Sequence, residues 1–237
     1  MSNSPLILLP PSEGKLSGGD GPPIDLSSIS FEQLSPAREL MIKALGQLSG
    51  KPRVAQKMLG VKGIALEKAR TDNAAISSSP TALAIERYTG GMYDSIDHLS
   101  LDDSANTVFG ENTTIMSGLF GVLRPFDLIP SYKLKMGAKL RRNKACSAIW
   151  KPLVTKVLAE IAEDRVGWDL LPNEHRSKAL KGALIRHLVS NPEAAGSTDL
   201  VPELLANFSH PEGYEYRPEL SNEFDGATEL LFVKELS

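Results

Sequence analysis

The stretch from Met116 to Gly137 constrains this chain more than any other, because its glycines and prolines leave the backbone few choices. It continues a short apolar run, Thr114 to Ser117, that suits the end of a buried strand. Gly118 and Gly121, three apart, permit a sharp turn or a close approach between backbones. Arg124 and Asp127 flank Pro125-Phe126, and Pro130 follows. Prolines fix φ and remove donors, so the segment reads as a rigid connection and not a helix interior. A rigid loop presenting Arg, Asp, Tyr and Lys beyond a strand suits a functional site. It equally suits a buried connection in which Arg124 and Asp127 neutralise each other, and pattern alone leaves both open.

At 237 residues, 41% hydrophobic and 23% charged, the chain has ordinary globular composition and can bury a core. Strands alternate with helical patterns, which predicts an α/β to α+β fold: a mixed β-sheet flanked by helices in one domain over residues 1–237. A continuous apolar run, Leu6 to Leu9, reads as a buried strand, and Ser35-Pro36 as an N-cap pair opening a helix to about Gly50. Ala82 to Tyr88 reads as a second strand, Leu101 to Gly110 as a helix, and Ala148 to Ala162 as the clearest helix, with Trp150, Leu153, Val154, Val157, Leu158 and Ile161 as core. Val166 to Leu171 and Thr228 to Val233 read as strands. No apolar stretch approaches membrane-spanning length, and Pro5 to Leu9 lacks the basic flank of a leader, so a cytoplasmic protein and a monomer are expected. One cysteine excludes an internal disulfide, and four scattered histidines offer no zinc spacing; neither metal nor cofactor is expected.

Net charge of −3 argues against a protein that coats nucleic acid with its whole surface, but the charge is unevenly spread. Arg124 to Lys144 holds seven basic residues against Asp127 alone, and Lys51 to Arg70 six against Glu67. From Asp199 onward nine acids face Arg217 and Lys234. The second basic segment also carries a pattern. A helix starting after Pro52 is interrupted by Leu59-Gly60-Val61-Lys62-Gly63, resumes at Ile64, and has small Ala69 where the two halves would touch. This is the pattern of a helix-hairpin-helix over about 52–72, whose second helix offers free backbone N–H groups to a phosphate without reading bases. Lys57, Lys62 and Lys68 would add charge around Gly60 and Gly63. An ordinary αα-hairpin with a glycine cap fits the same residues.

Ser117-Gly118-Leu119-Phe120-Gly121-Val122-Leu123-Arg124-Pro125, with Asp127, Pro130, Tyr132, Lys133, Leu134 and Met136-Gly137, closely resembles the signature of the YaaA peroxide-stress family (UPF0246). Pro10-Pro11-Ser12-Glu13-Gly14-Lys15, Tyr88-Thr89-Gly90 and Glu212-Gly213-Tyr214 resemble its other blocks, in the family's order. The resemblance implies a compact domain of unusual topology, a helix-hairpin-helix, an association with duplex and distorted DNA, and a role in limiting free iron under peroxide. The chain departs from the family between Asp169 and Lys178, where only Pro172 to Ser177 stands in place of a further hairpin.

Two functions are weighed most seriously. In the first, the hairpin, the run Lys139, Arg141 and Arg142, and a helix face with Lys178, Lys181 and Arg186 line one cleft that binds DNA with little sequence preference, by counterion release. In the second, Lys15, Arg124, Asp127, Tyr132, Lys133 and Glu212 converge as an anion clamp, an acid/base group and a reactive lysine. They would then form an enzyme pocket for a small anionic or nucleotide-like ligand or a flipped base. Lys15 is not part of a Walker A loop, since Leu16 stands where Ser or Thr belongs. A third reading, a thiol peroxidase on Cys146 beside Lys144, lacks a resolving cysteine.

Overall fold

A computed structural model describes residues 4–141, 143–171, 178–224 and 226–234. In chain order the first elements are β1 (Leu6–Leu9), β2 (Gly21–Pro23), α1 (Ser35–Ser49), α2 (Pro52–Leu59), α3 (Gly63–Ala74), β3 (Pro80–Leu83), α4 (Ala84–Arg87), α5 (Gly91–Ile96) and α6 (Asp103–Asn112). The glycine-proline stretch and its surroundings supply β4 (Thr113–Ser117), β5 (Gly121–Leu123), β6 (Leu128–Pro130), β7 (Lys139–Arg141), β8 (Lys144–Ala145) and α7 (Cys146–Ala162). The remainder comprises β9 (Gly167–Asp169), α8 (Lys178–Ser190), α9 (Pro192–Ala195), α10 (Val201–Ala206) and four short strands, β10 (Tyr214–Tyr216), β11 (Asn222–Phe224), β12 (Ala227–Glu229) and β13 (Phe232–Lys234). This is the expected mixed α/β to α+β architecture.

The main sheet has the order β5-β4-β1-β9, with β1 parallel to β4 and β9 and an antiparallel edge at β5. A strand flanked on both sides and covered on both faces must be apolar throughout, which is why β1 reads Leu-Ile-Leu-Leu without alternation. A second, antiparallel sheet has the order β2-β3-β6. Helix α6 packs on β4 and α8, α7 on β5 and β7, and α1 on α2, α3 and β7. Helix α6 starts as its acids predict, with the Asp102 carboxylate accepting from the Ala105 amide at 2.8 Å.

Four local readings are corrected. Ser35 is the first helical residue and not the cap; Leu34 ends a preceding 3₁₀ turn, and the Ser35 hydroxyl donates to the Leu26 carbonyl instead. The strand read over Ala82 to Tyr88 stops at Leu83, because Ala84 and Ile85 turn to donate to the Asp127 and Pro125 carbonyls and a single helical turn follows. The terminal strand divides into β12 and β13, which pair with different partners. On α7, Trp150, Val154 and Val157 are buried as expected, but Leu153 is exposed.

The two glycines behave as their spacing suggests. Gly121 adopts φ +80°, and a side chain there would begin 2.8 Å from the Trp150 ring. The turn they form delivers the Phe120 and Val122 carbonyls inward, where Arg38 of α1 receives both at 3.0 and 2.9 Å. Arg38 is fully buried and also donates to the Ser30 carbonyl at 2.8 Å. Burial pulls its guanidinium down to about 10, while Asp127 works in the opposite direction. A buried cation so placed ties α1, the segment before it and β5 together. Arg38→Met is expected to cost about 3–5 kcal/mol, since it strands buried carbonyls and Asp127 at once. Urea unfolding measures it, and a loss below ~1 kcal/mol would show the carbonyls finding other donors.

Candidate functional site

The parallel strands β1 and β4 run in one direction, and their C-terminal ends lead to the richest polar cluster. Beyond β1 the chain turns through Pro10-Pro11 into Ser12-Glu13-Gly14-Lys15, and Lys15 pairs backbone with Tyr88 as an isolated bridge. The Lys15 ammonium donates to the Ser12 carbonyl at 2.9 Å. It sits 4.3 Å from the centroid of the Tyr132 ring and 5.0 Å from that of Tyr88. Beneath, the Tyr88 and Tyr132 hydroxyls lie 2.9 Å apart, and Tyr132 is also 2.9 Å from the Ser117 hydroxyl at the end of β4. Tyr93 of α5 lies against Tyr88 and donates to the Pro10 carbonyl at 2.7 Å. Lys133 reaches back to donate to the Glu13 carbonyl at 3.0 Å, and Lys135 pairs with the Glu13 carboxylate at 2.9 Å.

The electrostatics follow from this packing. Burial, then the charge of Lys133, pull the Lys15 ammonium down to about 7, against the attraction of Glu13. The ring faces of the tyrosines favour the cation and soften that effect. Burial pushes the Tyr88 phenol up and those of Tyr93 and Tyr132 well up, so all three stay neutral. Glu13 is held below the usual carboxylate range, chiefly by its bond to Lys135.

Of the six pocket residues read from sequence, the structure brings together Lys15, Tyr132 and Lys133. Arg124 lies at the other end of β4, where it donates to the Thr113 carbonyl at 3.1 Å and covers the Phe31 ring. Four residue steps of strand separate that end from Ser117, about 13 Å. Asp127 is buried and accepts from the Ser30 amide and hydroxyl and from the Arg124 amide, so it is a structural anchor. Glu212 pairs with Lys234 at 3.1 Å and lines a different, open cleft of about 700 Å³ with His187 and His210. Sequence reading missed Tyr88 and Tyr93 as members of the cluster. Their signal was the Tyr88-Thr89-Gly90 block, taken as a strand and turn.

The basic residues are distributed unevenly. Lys57, Gly60, Lys62 and Gly63 are exposed in the connection between α2 and α3, and Arg53, Lys57, Gly60 and Lys62 line a shallow hollow of about 370 Å³. Gly60 adopts φ +69° as the cap of α2, which no side-chained residue takes without strain. Lys68 pairs with Asp72 at 2.6 Å. Lys139 is exposed and Arg141 half-buried on β7; Arg142 lies outside the described residues. Lys178 opens α8 beside Gly91, its Cβ 3.6 Å from where a side chain there would begin. Lys181 donates to the Leu170 and Leu171 carbonyls beyond β9, and Arg186 to those of Ile96 and Asp97. Those two side chains therefore hold loops in place. Cys146 is buried, donates to the Ala138 carbonyl at 3.2 Å, and is pushed up to about 11 by burial, the reverse of an activated thiolate.

Among the described residues no group of three or more His, Cys, Asp or Glu could hold a metal ion, and no helix is long and apolar enough to cross a membrane.

An α/β protein with a desolvated lysine at the C-terminal ends of its parallel strands fits the usual position of ligand sites in open sheets. The comparisons with known proteins narrow this class. The family described as peroxide stress protein YaaA matches residues 6–190, and the chain belongs to it. A UPF0246 protein of Streptomyces coelicolor is 35% identical over 224 residues, covering 88% of this chain and 85% of that relative. A UPF0246 protein of Corynebacterium efficiens is 40% identical over 165 residues, 67% of this chain and 63% of the relative. An uncharacterized protein of Campylobacter jejuni is 33% identical over 167 residues, 69% and 66% respectively.

Holding Lys15 in this box costs stability, and the sign is testable. Its folded value of about 7 lies below the ordinary 10.5, so stability rises as pH climbs from about 7 towards 10.5, where only the unfolded chain keeps the proton. Lys15→Met should be more stable than wild type by ~2 kcal/mol at pH 6–7, with the advantage shrinking towards pH 10. Thermal melts across that range measure it, and a pH-independent difference would deny the desolvation.

Proposed function

We propose that this protein acts in the peroxide-stress response by binding DNA through a helix-hairpin-helix formed by α2 and α3 together with a basic edge on the same body. What carries the reading is the way α3 joins the two. At its start, the Lys62-Gly63 turn leaves backbone N–H groups free of helical partners, beside exposed Lys57 and Lys62. Near its end, Asn73 accepts from the Lys133 amide at 2.8 Å and donates to the Lys133 carbonyl at 3.0 Å. Ten residue steps separate Gly63 from Asn73, so about 15 Å of rigid helix fixes the hairpin tip relative to the lysine edge. That spacing spans several phosphates of a duplex.

The hairpin tip has a second feature in its favour. Ile64, the first residue after Gly63, is 92% exposed. An apolar side chain standing in water next to unsatisfied N–H groups suits a surface that meets the sugar face of a groove or an opened base step. Lys133, Lys135, Lys139, Arg141 and Lys178 would continue the positive path. With contacts mainly to phosphate, binding should show little sequence preference.

Fluorescence anisotropy with a labelled duplex tests this. Affinity is expected to fall steeply between 50 and 200 mM salt, on the order of tenfold or more for a few phosphate contacts. Lys62→Glu should weaken binding by at least about tenfold, with a shallower salt dependence. Equal affinity in the variant, or binding indifferent to salt, would remove the hairpin from the interface.

A further inference from the structure

We infer that Lys15 is the nucleophilic amine of a site for aldehydes carried on DNA, and that it forms an imine with the open-chain deoxyribose of an abasic position. This rests on the DNA-binding reading above and deepens it.

The geometry isolates Lys15 in the way an amine nucleophile requires. Its nitrogen is stacked against two tyrosine rings and tethered by one bond to the Ser12 carbonyl, and among the described residues no carboxylate lies within ion-pair distance. The charged and titratable groups facing it are Glu13 and Lys133 on adjoining loops, Lys135 through Glu13, and the phenols of Tyr88, Tyr132 and Tyr93. The phenols stay neutral, Glu13 is occupied by Lys135, and Lys133 opposes a second cation, so about half of the amine carries a free lone pair at pH 7. A free amine of that kind can add to a carbonyl.

The type of carbonyl follows from the surroundings. The loop Ser131–Lys133 is held by Asp72 and Asn73 of α3, so DNA seated on the hairpin would bring its backbone past this edge. Lys133, on that loop, suits a flanking phosphate. Peroxide chemistry strips bases and leaves aldehydic sugars, and abasic nucleotides leave the stack at low cost. In the step itself, the Nζ lone pair closes on C1′ while the carbonyl π pair moves to oxygen. One proton passes from nitrogen to that oxygen and a second comes from solvent, so the oxygen departs as water while the nitrogen lone pair forms the C=N bond. This leaves the protonated imine, which returns a proton to solvent to give the neutral imine.

The test incubates the full chain with a labelled duplex holding one abasic site and sodium cyanoborohydride, which delivers hydride to the iminium and makes the link permanent. A covalent band is expected with this duplex. It should be absent with intact duplex or with one whose aldehyde has been reduced beforehand. Peptide mass spectrometry of the wild-type adduct should place it on Lys15, and Lys15→Arg should lower the yield at least tenfold while anisotropy on intact duplex is unchanged. The trapping rate should rise from pH 6 to 8 with its inflection near 7, where an ordinary lysine has none. Duplex binding without a covalent band, or an adduct on any other lysine, overturns the inference and leaves the DNA reading standing. Loss of both binding and trapping overturns the two together. Trapping of free ribose 5-phosphate alone, seen as a mass increase with no DNA band, overturns DNA as the source of the aldehyde.

Discussion

The placement of Arg38 is the constraint on which much of this structure depends. A guanidinium has a fixed fork of donors and no acceptor, so when fully buried it must be surrounded by oxygens. Here those oxygens are carbonyls from two chain segments, Phe120 and Val122 after β4 and Ser30 before α1, with Asp127 nearby as countercharge. The two carbonyls of the first segment point to one guanidinium because the chain reverses between β4 and β5, and that reversal needs Gly121 in the left-handed region, pressed against Trp150. The glycine-rich signature is therefore a means of shaping a carbonyl cradle. Its arginine partner lies 82 residues away from Phe120 and carries no local sequence signal.

That arrangement sorts the polar residues of the central block into two roles. At the N-terminal end of β4, Arg124 and Asp127 have all their evident bonding within the fold: a strand carbonyl, two backbone amides, a serine and an aromatic face. At the C-terminal end, the Lys15 and Lys133 ammonium groups donate to the loop carbonyls of Ser12 and Glu13, and the Tyr88 and Tyr132 phenols below bond to one another and to Ser117. Full internal satisfaction is what a structural group shows. A cation held by a neutral oxygen and two rings carries a burial cost that no ion pair among the described residues returns.

This division explains what was legible in the sequence. The strands β1 and β4, and helices α1, α2, α3, α6, α7 and α8, were readable because each carries its own periodicity or punctuation. The continuation of a strand past Leu83 was misread, since Ala-Ile-Glu-Arg has no breaker; tertiary bonds to the Asp127 and Pro125 carbonyls bend it. Of the catalytic candidates, Lys15, Tyr132 and Lys133 could be named from their loops, whereas Tyr88 and Tyr93 could not be told from core aromatics. Grouping Arg124 and Asp127 with them failed for a geometric reason. Residues five to nine apart in sequence from a site can sit at the opposite end of a strand, and the register of β5 on β4 shows which end each occupies.

The charge distribution completes the picture. A net charge of −3 argues against a generally basic surface, and the cations split into those consumed by the fold and those left at its edge. Arg38, Arg87, Lys181 and Arg186 bind carbonyls, and Arg124 lies against a ring, so none of them is a free charge for a polyanion. Lys57, Lys62, Lys139 and Lys178 stay exposed: the first two lie around the connection between α2 and α3, Lys139 on β7, and Lys178 at the start of α8. Sequence composition counts both sets alike. On the proposed DNA-binding reading, exposed lysines would hold a polyanion by long-range attraction more than by forked hydrogen bonds, which would favour contact with any backbone over recognition of a particular base. On the same reading, the desolvated amine of Lys15 would supply the chemical preference that such contacts lack, and selectivity would reside in the reactivity of what passes it.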